Sequence, residues 1–201
     1  MSREVVLASG NAGKLREFAE MFSTLDLRLR AQSEFGVGDV EETGTTFVEN
    51  AIIKARHAAR VSGLPALADD SGLVVDALGG APGVYSARYA GAGASDAANV
   101  ARLLDALSDV DEPARTCRFV CVLAYFRHGD DPLPVIATGL WEGRVLTAPR
   151  GDNGFGYDPV FHALDGGCAA AELPSARKNT LSHRGQALRA LHDLLVAARL
   201  A

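Results

Sequence analysis

The sequence predicts an α/β fold organised on a mixed sheet, and three features point to it. Val5-Val6-Leu7-Ala8 is a short apolar run; the glycine-bearing stretch Ser9-Gly10-Asn11-Ala12-Gly13-Lys14 follows, then Leu15, Phe18, Ala19 and Phe22 at helical spacing. Residues 117–126 are apolar on both alternating faces, the pattern of a central strand covered on both sides. Helical stripes and strand-like runs then alternate along the chain, so helices and strands share a core.

Taken in order, residues 5–8 are a first strand, 9–14 a turn, and the stretch from Leu15 a first helix. Thr43-Gly44-Thr45 leads into a second helix, where Thr46 and Glu49 have capping-box spacing. Val48, Ala51, Ile52, Ala55 and Ala59 form its apolar stripe, and Asn50 and Lys54 share another face. Residues 66–68 and 73–75 read as short strands on either side of Asp69-Asp70-Ser71-Gly72, which has turn chemistry. Gly79-Gly80-Ala81-Pro82-Gly83 is loop, and Val100, Leu103, Leu104 and Leu107 mark a third helix. Residues 134–140 pair beside the central strand, and 151–158 are a second glycine-rich loop. The last helix starts near Ser182, a suitable N-cap, with Leu188, Leu191, Leu194 and Leu195 on its core face.

The 201 residues suit one domain of ordinary size, and 48% hydrophobic with 22% charged residues is the balance of a packed globular chain. A net charge of -5 argues against a nucleic-acid footprint, yet leaves room for a small polyanion held by a local cluster of cations. Cys117, Cys121 and Cys168 are odd in number and lack metal-ligand spacing, so they read as thiols in a reducing compartment. No run is long enough for a signal-peptide core or a membrane span, and a soluble cytoplasmic protein is expected.

Five stretches carry candidate chemistry. The first turn is not a Walker A loop, because Ala8 and Leu15 stand where that pattern needs Gly and Ser or Thr. Its Gly-Asn-Ala-Gly-Lys core still suits an anion, with backbone N–H groups at a helix start, Asn11 as donor and Lys14 as point charge. A plain strand-to-helix turn is the alternative. Asp69 and Asp70 are adjacent like charges that need a positive partner, and alone they fit an acidic turn as well as a cation site. Glu41 and Glu42 precede a helix, where its dipole favours them regardless of function; gathered with the aspartates they would suit Mg²⁺. Phe155 and Tyr157 stand among glycines in Gly154-Phe155-Gly156-Tyr157-Asp158-Pro159, a stacking surface for a base or simply loop anchors. Ser182-His183-Arg184, with Lys178 nearby, can donate to a ligand or form a solvated first turn. Gly-x-Ser-x-Gly is absent, which sets nucleophilic catalysis aside.

These stretches, in this order, resemble the Ham1-like inosine/xanthosine triphosphate pyrophosphatases. The matching segments are Ser9-Gly10-Asn11-Ala12-Gly13-Lys14, Glu41-Glu42-Thr43-Gly44, Phe47 to Lys54, Ala68 to Leu73, Gly79 to Arg88, Gly154 to Pro159 and Ser182-His183-Arg184. The resemblance spans nearly the whole chain. Ser9 stands where many relatives have Thr, and the hydroxyl is kept.

The resemblance implies one nucleoside-triphosphate pyrophosphatase domain over residues 1–201, built as an elongated mixed sheet flanked by helices in two lobes with a central active-site cleft. It implies a cytoplasmic homodimer that hydrolyses dITP, ITP and XTP to monophosphate and pyrophosphate with Mg²⁺, keeping these nucleotides out of DNA and RNA. Ser9, Gly10, Asn11, Ala12, Gly13 and Lys14 would hold the triphosphate. Asp70 would be proton acceptor and metal ligand, with Glu42 and Glu41 as further metal candidates, Asp69 in support and Lys54 beside the phosphates. Ser71 would contact substrate, and Phe155, Gly156, Tyr157, Asp158, Lys178, His183 and Arg184 would form the base pocket. A related house-cleaning pyrophosphatase acting on modified pyrimidines or canonical nucleotides, a regulator without turnover, or a sugar-phosphate phosphatase are the rival readings. The base-pocket stretches, the retained carboxylates and the missing Asp-x-Asp nucleophile respectively disfavour them.

Overall fold

The computed structural model describes residues 3–9, 18 and 27–200. The turn residues Gly10 to Lys14 and most of the expected first helix lie outside the described residues; Phe18 of that helix is helical and fully buried. Among the described residues seven strands form one sheet: β1 (Arg3–Leu7), β2 (Leu27–Ala31), β3 (Ala66–Val75), β4 (Thr116–Phe126), β5 (Val135–Val145), β6 (Phe161–Ala163) and β7 (Cys168–Ala169). The order is β2-β1-β3-β4-β5-β6-β7. β1 runs parallel to β2 and β3, whereas β5–β6 and β6–β7 are antiparallel, so the sheet is mixed as expected. The described helices are α1 (Phe47–Ser62), α2 (Asp96–Ala106), α3 (Ser175–Leu181) and α4 (His183–Ala197). None is long and apolar enough to cross a membrane.

Local signals fix several boundaries. The Thr46 hydroxyl accepts from Glu49 N at 3.3 Å and the Glu49 carboxylate accepts from Thr46 N at 2.9 Å, closing the expected capping box of α1. Gly63 ends α1 in the left-handed conformation. Ser182 caps α4 by accepting from Gly185 N at 3.2 Å. β4 takes the middle position of the sheet and is buried from Phe119 to Phe126.

Four expectations need correction. Asp69-Asp70-Ser71-Gly72 is not a turn between two short strands: β3 is continuous from Ala66 to Val75. Sheet pairing overrides the turn preference of these residues, and Asp69 and Asp70 are buried at 1% and 7% exposure instead of projecting into water. β5 runs on to Val145, because Trp141, Gly143 and Val145 alternate inward with Glu142 and Arg144 outward. The buried face of α1 is Ala51, Ala55, Ala58 and Ala59 together with Asn50, while Val48 is exposed. In α4, Leu188, Leu191 and Leu195 are buried, but Leu194 faces solvent and Ala187 takes its place.

The chain divides into two compact units. In its described residues, one comprises Met1–Asp70, Cys121–Gly139 and Ala187–Ala201, and the other Ser71–Val120 and Leu140–Gln186. The first unit packs Val5, Leu7, Phe18, Leu67, Leu123 and Tyr125 against Leu188, Leu191 and Leu195. The second packs Leu73, Leu103, Leu107, Trp141, Val160 and Phe161 around Phe119, whose ring stacks on His183 at 4.7 Å between centroids. Burying each such large side chain contributes about 1.5–3 kcal/mol.

Candidate active site

In the first unit, α1 and β3 bring a cation and carboxylates together. The Lys54 ammonium donates to Glu42 Oε1 at 2.7 Å and to Asp70 Oδ1 at 3.0 Å. Asn50, one helical turn before Lys54, points its amide at Asp70 Oδ2 at 3.4 Å. The same Asn50 accepts from Gly44 N at 2.9 Å, which draws the chain after Glu42 onto α1. Only glycine fits there, because a Cβ on residue 44 would lie 2.6 Å from Asn50 Oδ1. The helix-face pairing of Asn50 with Lys54, legible in their spacing, thus converges on one carboxylate.

The electrostatics of this cluster are unbalanced. Burial alone would lower the Lys54 pKa, but the charges of Asp70 and Asp69 and the bond to Glu42 outweigh it and hold the ammonium protonated. Burial pushes the Asp70 carboxyl above its ordinary range; Lys54 opposes this and Glu42 adds to it. Two carboxylates, Glu42 and Asp70, share the one ammonium of Lys54, and the charge of Asp69 also acts on it, so negative charge exceeds positive here. That excess, presented by carboxylate oxygens, is what a hard divalent cation such as Mg²⁺ compensates. Among the described residues no three His, Cys, Asp or Glu side chains form a preformed cage. The carboxylates of Glu42 and Asp70 suit an ion that fills the rest of its shell with water and substrate oxygens. Glu42 and Glu41 part company: Glu42 is half-buried on Lys54, and Glu41 is exposed. Ser9 closes β1, its N–H donating to Leu7 O at 3.0 Å, and Ser71 continues β3 beyond Asp70, half-buried.

In the second unit the loop 154–158 and α3 form another cluster. Lys178 Nζ lies 2.5 Å from Asp158 Oδ2, and that oxygen also accepts from Phe155 N at 2.9 Å. Asp158 and Lys178 are both largely buried. Gly154 makes room for this pair, since a Cβ there would come within 2.1 Å of Asp158 Oδ2. The two aromatics separate in role. Phe155 is 45% exposed, with Lys178 Nζ 5.2 Å and Arg184 Cζ 5.7 Å from its ring centroid. Tyr157 is buried, and its hydroxyl donates to Ser86 O at 2.8 Å. Gly156 N donates to Asp96 Oδ2 at 2.7 Å. His183 and Arg184 are buried at the start of α4.

Sequence reasoning missed Asn50, Ser86 and Asp96 as site residues. Asn50 carried a signal, being a polar residue beside the alanine stripe of α1. Ser86 lay in the matching segment Gly79 to Arg88 with no role attached to it, and Asp96 carried no signal; their partners are 13 and 60 residues away.

Comparison with known proteins gives the same picture across the chain. The family model of the Ham1 family matches residues 5–194. The dITP/XTP pyrophosphatase of Vibrio parahaemolyticus is 58% identical over 195 residues, 97% of this chain and 98% of that protein. The dITP/XTP pyrophosphatase of Xanthomonas oryzae pv. oryzae is 59% identical over 198 residues, 98% of this chain and all of the other (100%). The solved structure of a HAM1 protein from Coxiella burnetii superposes with a TM-score of 0.92 at 52% identity, covering 97% of this chain and 99% of that one. The Staphylococcus aureus Ham1 protein gives 0.88 at 41% identity, covering 98% and 100%. With the matched segment holding both the Glu42–Lys54–Asp70 cluster and the Phe155–Asp158–Lys178 cluster, the chain belongs to the Ham1 family.

Proposed function

We propose that this chain hydrolyses dITP and XTP, with ITP, to the nucleoside monophosphate and pyrophosphate, and so removes these purines before a polymerase can use them. The names of the Vibrio and Xanthomonas relatives support the substrate class. The observation that carries it here is a donor beside an acceptor, Lys178 Nζ next to the Asp158 carboxylate, under the exposed Phe155 ring. Hypoxanthine and xanthine present an acceptor at O6 and a donor at N1–H. Adenine presents the reverse, a donor at the 6-amino group and an acceptor at N1. A buried pair of this polarity left mismatched by adenine discriminates by about 10⁴-fold.

Asp70 accepts the proton of the water that attacks the α phosphorus. Its raised pKa brings it nearer to the pH at which a carboxylate base works well. Lys54 orients Asp70 and Glu42 and stabilises the negative charge that grows on the phosphate oxygens. Glu42 and Asp70 are the residues that would hold Mg²⁺, which when bound neutralises and orients the triphosphate oxygens. Ser9 and the segment Gly10 to Lys14 take the rest of the triphosphate, with Lys14 as counter-charge. Phe155 stacks on the base, and Arg184 reinforces that face. We assign the enzyme to the cytoplasm, where its free cysteines stay reduced, and to a homodimer on family grounds.

The test is a panel of nucleoside triphosphates with Mg²⁺, scoring pyrophosphate against orthophosphate. Pyrophosphate from dITP and XTP, with little from dATP, is expected. Orthophosphate as the product, or dATP turned over as fast as dITP, overturns the assignment.

A further inference from the structure

The segment 79–88 is prominent in the sequence and takes no part in the chemistry above. In the second unit it is a hydrogen-bonding station. Val74 and Pro82 form an antiparallel bridge, and Val75 N donates to Ala81 O at 3.2 Å, which fastens the segment to the end of β3. The short helix Gly83–Arg88 then places Ser86, which is buried. Its hydroxyl accepts from Leu73 N of β3 at 2.9 Å and donates to Gly83 O at 2.7 Å, so its one proton is used. Its carbonyl accepts from the Tyr157 hydroxyl, whose pKa burial pushes well up, so it stays a donor.

A second tether reaches the same loop from α2. Asp96, the first residue of α2, accepts from Gly156 N at 2.7 Å. Asn99, one turn on, donates to Ala87 O at 3.2 Å and accepts from Ala90 N at 2.8 Å. The contacts close a ring that runs from Ser86 to Tyr157, from Gly156 to Asp96, along α2 to Asn99, and back through Ala87. Phe155 stands outside this ring with its side chain exposed, but its backbone neighbours are held. Gly154 and Gly156 both have left-handed φ, at 79° and 63°, which leaves this loop many conformations without tethers.

We infer that Tyr157 and Asp96 are positioning residues for base selectivity: anchored on Ser86 and on α2, they fix the loop 154–158 so that Phe155 is presented as a rigid stacking surface beside Lys178 and Asp158. This rests on the function proposed above. A platform ordered before the base arrives loses less entropy on binding, and it holds the donor–acceptor pair in the register that distinguishes O6 from a 6-amino group.

The experiment uses the full chain and measures kcat and KM for dITP and dATP. Tyr157→Phe removes one hydroxyl, Asp96→Ala removes a carboxylate at an exposed position, and Asp96→Asn keeps an acceptor oxygen. Tyr157→Phe and Asp96→Ala are expected to raise KM for dITP by about tenfold and to shrink the dITP-over-dATP ratio of kcat/KM by a similar factor. Asp96→Asn should restore most of that ratio. General structural damage would lower both substrates alike and leave the ratio unmoved. Folded variants with the wild-type ratio overturn the inference and leave the function standing. If Tyr157→Phe does not fold, the Asp96 pair decides. A wild-type protein that releases no pyrophosphate from dITP overturns both, and that control is read first.

Discussion

Lys54 Nζ lies 3.0 Å from Asp70 Oδ1, joining α1 to β3 through a single ammonium that Glu42 shares from the other side at 2.7 Å. Lys54→Met keeps most of the unbranched side chain and removes the charge. Glu42 and Asp70 then face each other with no common cation, and losing one partner of a largely buried ion pair costs about 3 kcal/mol. The variant should melt well below wild type in EDTA. Adding MgCl₂ should raise its melting temperature by more than it raises that of wild type, because the ion replaces the missing charge. Equal Mg²⁺ shifts in the two proteins would show that Lys54 and the ion do not share these carboxylates.

Asp70→Asn separates chemistry from stability. Turnover of dITP should fall by about 10³-fold or more, since the proton acceptor is gone. The fold should not suffer. Burial holds the Asp70 pKa above its unfolded value, so the charged form is less favourable in the folded protein than in the unfolded chain. The sign follows: this group favours folding below its unfolded pKa, and that contribution is lost as pH rises through the folded one. Asn carries no such penalty, and in EDTA near neutral pH the variant should melt no lower than wild type. Thermal melts of both proteins at several pH values check this; a clear loss of stability in the variant would count against a strained Asp70.

Legibility in the sequence followed the range of the interaction. Thr46 with Glu49 and Asn50 with Lys54 are neighbours within one helical turn, so spacing alone located them, and Ser182 was legible as an N-cap from its residue type. The central strand was legible because residues 119–126 form an unbroken run dominated by apolar side chains. Asp69-Asp70-Ser71-Gly72 misled for the opposite reason. Its local chemistry favours a turn, and the sheet neighbours that hold it extended are remote in the chain. The roles of Ser86 and Asp96 were hidden on the same account, and so was the division of labour between Phe155 and Tyr157, which only burial reveals.

Lys178→Met tests the base assignment. The lost donor is charged and faces a buried acceptor, so kcat/KM for dITP should drop by about 10²-fold while the low rate on dATP barely changes. Guanine offers the same O6 and N1–H as hypoxanthine, so Lys178 and Asp158 do not exclude it, and discrimination must act on its 2-amino group. Turnover of dGTP near that of dITP would sink that idea. Steady-state kinetics on the three deoxynucleotides settles both points in one series.

Asp131 provides a test in the first unit, with partners other than the Glu42–Lys54–Asp70 cluster. Its buried carboxylate accepts from Arg127 N at 3.1 Å, Arg127 Nε at 2.7 Å and Leu133 N at 3.0 Å, and from Arg127 Nη2, closing the connection between β4 and β5. Arg127 and the two backbone donors hold the Asp131 carboxyl well below the usual carboxylate range. A carboxyl depressed on folding stabilises the protein above its unfolded pKa, and this contribution is lost as pH falls toward the folded value. Asp131→Asn keeps the shape but gives up the charge-assisted bonds, and should destabilise by about 1–3 kcal/mol at neutral pH. The gap between wild type and variant should narrow steadily below about pH 4, where the unfolded chain takes up the proton. Urea unfolding at pH 7 and at acidic pH reads the difference directly; a gap independent of pH would mean that hydrogen-bond geometry, not charge, holds this turn.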